Sequence, residues 1–296
     1  MRFFRVSAAV CVFLAFLPAP AARADGPCAS AAQPRLAASL GRQVAAALHG
    51  RAGTASVAIL DREHDVVCSV RGDRRYDSAS VVKVTILGAL MRTALDQHRG
   101  LTTREKTLAR RMITRSDNDA ASALWRQIGR TRMNRFLVRA GMRHTKLGPT
   151  HFWGLTQITA NDELRLLRVL TSHGTVLSDK ARRYILDLMH QVIPQQRWGV
   201  PTGRPAGVVW HVKNGWLPRH DRYWRVHSIG SFSGRHRDYL IVVLTQDTPT
   251  MRYGVATIER VARAVHRTLN PADRSAFPSD APQVREESDG SVPPWA

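Results

Sequence analysis

Ser80-Val81-Val82-Lys83 is the segment of this sequence whose residue types are best suited to nucleophilic chemistry. On a helix, residues three apart share a face, so the Ser80 hydroxyl and the Lys83 amine would lie within hydrogen-bond reach. The apolar residues around them predict a buried helix. Burial favours the neutral amine, which can accept the serine proton. The alternative is an ordinary core serine followed by a lysine whose chain extends to the surface.

A second polar cluster, Ser116-Asp117-Asn118, falls between two predicted helices. A hydroxyl and a carboxamide on one turn can relay a proton and hold a substrate amide. The same three residue types are also good helix N-caps, so a purely structural turn is the alternative.

The third segment is Lys213-Asn214-Gly215, which follows the β-rich run 208–212. A lysine on a strand edge, beside a glycine, leaves room for a substrate to pair with the backbone. Lys146-Leu147-Gly148 fits the same short pattern, and only the strand context favours Lys213.

The helices and strands that would position these segments can be predicted from the periodicity of the apolar residues along the chain. Helical periodicity covers 36–48, about 80–189 and 251–269, whereas β-rich runs cover 54–60, 64–70, 207–212, 223–230 and 239–245. This order predicts an α+β fold, an α/β sandwich. We expect an antiparallel sheet of about five strands, built from both chain ends and flanked by helices, with an all-helical subdomain inserted at about 80–190.

With the three segments in this order and these contexts, the chain resembles the class A β-lactamases and the related penicillin-binding peptidases. The resemblance covers roughly Gln43 to Leu269, and the stretch 113–121 is its most specific local match. It implies a β-lactamase/transpeptidase-like fold.

The resemblance also implies catalytic roles. Ser80 would be the nucleophile and Lys83 its general base. Ser116 would pass the proton to the leaving nitrogen. Lys213 would hold Ser116 and attract the substrate carboxylate, and Asn118 would bind the substrate's side-chain amide.

The same resemblance implies a substrate-binding strand. Asn214 stands where the family usually has Thr or Ser, which would turn one hydrogen bond to the substrate carboxylate into an amide contact. Gly215 would leave room for the substrate. The oxyanion would lie between the backbone N–H groups of Ser80 and Trp216.

Two departures limit the implied activity. The chain between Lys83 and Ser116 is short, which should leave the site more open. Class A enzymes carry a glutamate and an asparagine on a loop under the site, but the matching stretch 148–158 has no carboxylate, and its one titratable side chain is His151. Glu163, just beyond, is typical of a first-turn acid favoured by the helix dipole. We therefore expect acylation with slow or absent turnover.

These features predict an exported serine acyl-enzyme hydrolase acting on β-lactams or related cell-wall D-Ala-D-Ala amide bonds, with no cofactor. The alternatives are a DD-peptidase-type wall enzyme and a non-catalytic binder of β-lactams or wall fragments. We expect a monomer whose ligand is a β-lactam or a peptidoglycan peptide.

Residues 1–24 have the pattern of a signal peptide, with Arg2 and Arg5 before a short apolar run and cleavage expected near Ala24. A retained membrane anchor and a lipid on Cys28 are the alternatives. The expected product is secreted or associated with the cell envelope. It would comprise a hydrolase domain over 25–270 and a disordered tail over 271–296, which is rich in Pro, Ser and acidic residues.

Removal of the signal would leave two cysteines, Cys28 and Cys68. An even number outside the cytoplasm favours one disulfide, and two free thiols are the alternative. No Cys/His spacing resembles a metal site.

The net charge of +21 invites anionic partners. Nucleic acid is not expected, because the predicted protein leaves the cell and its arginines are scattered. Anionic wall polymers and membrane surfaces are better candidates, and a plain composition bias is the alternative. The basic set of 44 residues contains only five lysines, at 83, 106, 146, 180 and 213.

Overall fold

The computed structural model describes residues 26–219 and 222–272, and in them the expected α+β architecture is present. The strands are β1 (Cys28–Ala29), β2 (Thr54–Asp61), β3 (Val66–Val70), β4 (Tyr76–Asp77), β5 (Gln157–Ile158), β6 (Val209–Pro218), β7 (Trp224–Gly234) and β8 (Arg237–Thr248). Six of them form one antiparallel sheet in the order β1-β3-β2-β8-β7-β6, and β4 pairs with β5.

Seven helices accompany the sheet in the described residues. They are α1 (Pro34–Leu48), α2 (Val82–Asp96), α3 (Thr103–Thr114), α4 (Asn118–Arg139), α5 (Ala160–Thr171), α6 (Asp179–His190) and α7 (Met251–Leu269). Three short 3-10 helices cover Ala79–Val81, Trp153–Leu155 and Pro194–Gln196.

The central sheet joins the two ends of the chain, because β2 pairs with β8 along its whole length, from Thr54↔Gln246 to Asp61↔Tyr239. Both faces of β2 are covered, so its residues are buried almost continuously rather than alternately. Val57 and Ile59 belong to the core under α1 and α7, whereas Ala58 belongs to the core shared with the helical block α2–α6. The block therefore lies on one face of the sheet.

The predicted helix ends are largely confirmed. The closing helix spans Met251–Leu269 as expected, and Thr102 and Glu105 form a reciprocal capping box at the start of α3. Thr159 and Asp162 have the spacing of a capping box, but they form only half of one, in which the Thr159 side chain accepts from the Asp162 N–H. The Asp162 carboxylate instead accepts hydrogen bonds from the His144 N–H and the Thr145 hydroxyl.

The predicted disulfide between Cys28 and Cys68 is confirmed, with an S–S distance of 2.01 Å. It holds the two-residue β1 against β3, which adds a sixth strand to the five expected. Because its sulfur is bonded to Cys68, Cys28 has no free thiol to carry a lipid.

Two predicted segments lie outside the described residues: the signal peptide over 1–24 and all but the first two residues of the tail. Among residues 26–219 and 222–272, no helix combines the length and apolar character needed to cross a membrane.

Candidate active site

Ser80 and Lys83 meet at the start of α2, where their side chains are 2.8 Å apart, Oγ to Nζ. Ser80 lies in the 3-10 turn Ala79–Val81, and Ala79 has a left-handed φ of +46°. The neighbouring valines and leucines are fully buried, as is the pair itself. The apolar surroundings predicted from the sequence therefore enclose both functional groups.

Ser116 comes from the turn between α3 and α4 and contacts the same amine twice. The Nζ of Lys83 is 2.6 Å from the Ser116 carbonyl oxygen and 3.1 Å from its hydroxyl. Ser116 has a φ of +58°, a conformation that costs energy for a residue with a side chain. That backbone allows one residue to direct both oxygens toward Lys83.

The two residues after Ser116 have different tasks. Asp117 is the N-cap of α4 and accepts from the Ala120 N–H at 2.7 Å. Burial alone would raise the pKa of Asp117, but that N–H and the Arg111 guanidinium lower it, so it stays ionised. Asn118 places its Oδ1 2.6 Å from the Nζ of Lys83. The segment thus serves both as a cap and as part of the site.

Lys213 closes the cluster from β6, the edge strand of the sheet. Its Nζ is 3.0 Å from the Ser116 hydroxyl and 2.8 Å from the Asn214 carbonyl oxygen. A continuous hydrogen-bonded chain therefore links Ser80, Lys83, Ser116 and Lys213. Ser80, Lys83 and Lys213 have no exposed surface and Ser116 has 8%. The openness of the surrounding site, expected from the short connection, stays a prediction.

Gly215 is a position where β6 packs tightly against the turn that carries Ser80. A Cβ at this position would lie 2.8 Å from the backbone N of Ser80 and 2.9 Å from that of Val81. No other residue fits without displacing the backbone. The next residue, Trp216, is half-buried, and its ring centre is 6.0 Å from that of Trp198.

Asn214 points away from the cluster. Its Nδ2 donates to the carbonyl oxygens of Gln196 and Trp198, at 2.9 and 3.0 Å. Neighbouring residues of a strand face opposite sides of the sheet, so Asn214 cannot share the face of Lys213. The structure does not place the amide of Asn214 with the other candidate residues.

His227, which the sequence analysis missed, supports the turn before Ser80. The Thr245 N–H donates to its Nδ1, so its Nε2–H donates to the Asp77 carbonyl oxygen at 2.7 Å. Burial lowers the pKa of His227 to about 4, which keeps this neutral tautomer. His227 lies opposite Gly215 in the pairing of β6 with β7. Only the alignment of these two strands would have indicated that His227 lies near the site.

A family model described as the beta-lactamase enzyme family matches residues 39–106 and 95–269, most of the chain.

The chain belongs to this family.

The chain is also similar to a named mycobacterial protein and to solved structures. A Mycobacterium tuberculosis protein named "Putative lipoprotein LppW" is 29% identical over 220 residues, 72% of this chain and 69% of its own. A class A beta-lactamase from Bacteroides cellulosilyticus has a TM-score of 0.70 at 17% identity, covering 79% of this chain and 98% of its own. A mutant of PBP-A, solved as an acyl-enzyme complex with penicillin G, has a TM-score of 0.68 at 19% identity, covering 79% and 97%. At these identities the solved structures establish the fold alone.

An aromatic side chain lies directly beside Lys83. In the loop 148–158, the fully buried Trp153 has its ring centre 4.7 Å from the Nζ of Lys83. Its indole N–H donates to the Ser122 hydroxyl at 3.1 Å. The Ser78 hydroxyl contacts the Trp153 and Gly154 carbonyl oxygens, which anchors the loop to the turn before Ser80. An aromatic ring thus borders the Lys83 amine.

The two titratable groups considered as bases take no part in the cluster. His151 is exposed at the outside of the loop. Glu163 is fully buried, and neither carboxylate oxygen has a hydrogen-bond partner among the described residues. Burial, with the nearby Asp162 charge, raises the pKa of Glu163 well above its usual value. Glu163 is in the first turn of α5, as expected, but its burial favours the neutral acid over the ionised form.

The described residues contain no group of three or more His, Cys, Asp or Glu side chains able to hold a metal ion.

Proposed function

We propose that this beta-lactamase-family protein is a serine enzyme that is acylated at Ser80 by β-lactams or by cell-wall D-Ala-D-Ala peptides. The observation that carries the proposal is the position of the Lys83 Nζ, 2.8 Å from the Ser80 hydroxyl and 3.1 Å from the Ser116 hydroxyl. One amine is thus within reach of both the nucleophile and a group that can deliver a proton.

The contacts of Lys83 suit a general base. The Ser116 carbonyl oxygen and the Asn118 Oδ1 can only accept hydrogen bonds, so they take two amine hydrogens. The remaining direction of a neutral amine, its lone pair, then faces the hydroxyls of Ser80 and Ser116. Burial and the neighbouring Lys213 both disfavour a charged amine at this position.

The acylation step follows from this arrangement. Lys83 takes the Ser80 proton as Oγ bonds to the substrate carbonyl carbon, and the oxyanion is held by the N–H groups of Ser80 and Trp216. The carbon–nitrogen bond then breaks, and the leaving nitrogen receives a proton from Ser116. Ser116 recovers a proton from Lys83, so the protons balance.

Substrate binding would use the charged end of the cluster. Lys213 supplies an ammonium for a substrate carboxylate, and Asn118 supplies a carboxamide for a side-chain amide. Because the Asn214 Nδ2 is already bonded to two carbonyl oxygens, we assign Asn214 to holding the segment 196–198 rather than to substrate contact.

We further propose that the acyl-enzyme is long-lived. Hydrolysis needs a water and an oriented base beside the ester. Trp153 borders Lys83, and Glu163 is buried without a partner. None of the described groups in the loop 148–158 offers a carboxylate for that task.

We also propose that the protein acts outside the cytoplasm, after loss of residues 1–24. The Cys28–Cys68 disulfide supports this, because such bonds persist in oxidising compartments.

A fluorescent penicillin tests the proposal, with the adduct followed over hours by intact-protein mass spectrometry. We expect one covalent adduct on the native protein, none on Ser80→Ala, and normal labelling of Ser69→Ala, which removes an exposed hydroxyl. A parallel incubation with an acyl-D-Ala-D-Ala peptide distinguishes the two substrate classes. Absence of any adduct would overturn the acylation proposal.

The base is tested by Lys83→Arg, which keeps the charge but cannot take a proton. We expect the acylation rate to fall by at least about 100-fold. The matched control is Lys106→Arg, which makes the same change on an exposed helix position. Equal rates in both variants would exclude Lys83 as the base.

A second candidate function is favoured by the complete burial of Ser80. If no substrate reaches the hydroxyl, the family fold would serve as a non-catalytic binder of β-lactams or wall fragments. Calorimetry separates the two: reversible binding of penicillin that is unaffected by Ser80→Ala indicates a binder.

A further inference from the structure

A cavity of about 550 Å³ lies in the helical block, between α2, α3 and α6. Its volume is in the range of small-molecule sites. One part of its lining is apolar and comes from Met91, Ala94, Leu95 and Leu101. Leu95 is 38% exposed, which is high for a large aliphatic side chain in this protein.

The polar part of the lining is cationic. Lys106, Lys180 and Arg183 are exposed and border the cavity, and none forms an ion pair with a described residue. Arg99 also lines it but is paired with Glu105 at 2.8 Å. Asp187 is the one acidic residue in the lining. An unneutralised positive rim therefore borders an apolar wall.

The choice of basic residue adds to this pattern. The chain has five lysines among its 44 basic residues, and two of the three outside the active site border this one cavity. Tyr184 adds a half-buried hydroxyl between the two kinds of lining, and burial raises its pKa, so it remains a hydrogen-bond donor.

We infer that this cavity binds an anionic lipid. Its phosphate would lie among Lys106, Lys180 and Arg183, and the first acyl carbons would cover Leu95 and Leu101. A free anion would leave the apolar wall unused, and a neutral lipid would leave three cations without partners. Only a ligand with both parts complements the whole lining.

The site is separate from the catalytic cluster, although the two share helices. α2 carries Lys83 in its first turn and Met91 eight residues later, which corresponds to about 12 Å along the helix. α3 likewise begins at the cavity and ends just before Ser116. Changes at the cavity rim should therefore leave acylation of Ser80 by a soluble penicillin unchanged.

Isothermal titration of the full-length protein with dodecyl phosphate, below its critical micelle concentration, tests the inference. We expect one site with micromolar affinity at low ionic strength. Dodecyl maltoside, which has the same chain and a neutral head, should bind at least tenfold more weakly, and so should inorganic phosphate. Comparable binding of either control ligand, or no binding of dodecyl phosphate, would overturn the inference.

A matched pair of double variants tests the location. Lys106→Gln with Lys180→Gln should weaken dodecyl phosphate binding at least tenfold. Arg35→Gln with Arg42→Gln removes the same charge from exposed positions on α1 and should change it less than twofold. If both double variants lose the same affinity, dodecyl phosphate is attracted by the overall charge of the protein rather than bound in this cavity. Thermal melts and penicillin acylation confirm that each variant is folded.

Discussion

The indole of Trp153 lies over the amine of Lys83, with 4.7 Å between the ring centre and Nζ. An aromatic ring there can stabilise an ammonium by a cation–π contact and also excludes water from that side of the amine. The cation–π contact would favour a protonated Lys83 once it has taken the Ser80 proton, and the exclusion of water would oppose hydrolysis of an ester on Ser80.

Replacing Trp153 should therefore shorten the life of the acyl-enzyme. Trp153→Glu removes the ring and places a carboxylate beside Lys83, and we expect the adduct to decay at least tenfold faster. Trp153→Phe keeps an aromatic wall and should preserve the slow decay. Mass spectrometry gives the adduct half-life in each. If Ser80 is acylated in all three proteins with the same half-life, Trp153 does not control deacylation.

Gly215→Ala should disrupt the approach of β6 to Ser80. The added methyl would lie 2.8 Å from the Ser80 nitrogen, so the backbone must shift, at a cost of about 1–3 kcal/mol in stability. We expect at least a tenfold slower acylation, because small displacements of reacting groups are costly. Gly234→Ala is the control, since its nearest neighbour would be at 3.7 Å. Equal acylation rates would contradict the packing argument.

Glu163 should make stability depend on pH. Its pKa is raised in the folded protein, whereas it is about 4.3 in an unfolded chain. The folded state therefore holds the proton more tightly, and stability falls as the pH rises above about 4.3 toward the raised folded value.

Glu163→Gln removes this titration, so the variant should gain melting temperature relative to the native protein between pH 5 and pH 8. Glu63→Gln is a control at an exposed position. Scanning calorimetry at the two pH values gives the melting temperatures. If the melting temperatures of Glu163→Gln and the native protein differ by the same amount at both, the expectation is refuted.

The disulfide should contribute strongly to stability. Cys28 and Cys68 are 40 residues apart, and closing a loop of that length is worth about 4 kcal/mol in the chain-entropy model. Reductant should therefore lower the melting temperature by roughly 10 °C. The Cys28→Ser variant should melt at the lower temperature with or without reductant. Insensitivity of the native protein to reductant would argue against a structural role.

Local relationships were the part of the site that the sequence could predict. Ser80 and Lys83 are one turn apart, and the apolar residues around them are enough to predict the buried helix that brings their side chains together. The strand alternation that turns Asn214 away from Lys213 was also readable in the sequence.

Contacts between distant segments could not be predicted in this way. Trp153 is 70 positions from Lys83, and nothing in its own loop indicates which group its ring will cover. Glu163 occupies a normal first-turn position for an acid, and only the packing around α5 reveals that it is fully buried. The fold class was predictable because strands at both chain ends leave few arrangements.

The pairing of β2 with β8 has a further consequence for how the protein becomes active. Lys213 is held in place through β7 and β8, and β8 must find β2 across almost 200 residues of chain. Ser80 and Lys83 are synthesised early, whereas β6, the strand that packs against Ser80, follows much later in the chain. The cluster of Ser80, Lys83, Ser116 and Lys213 therefore joins early and late parts of the sequence, and a chain that ended before β6 would lack Lys213.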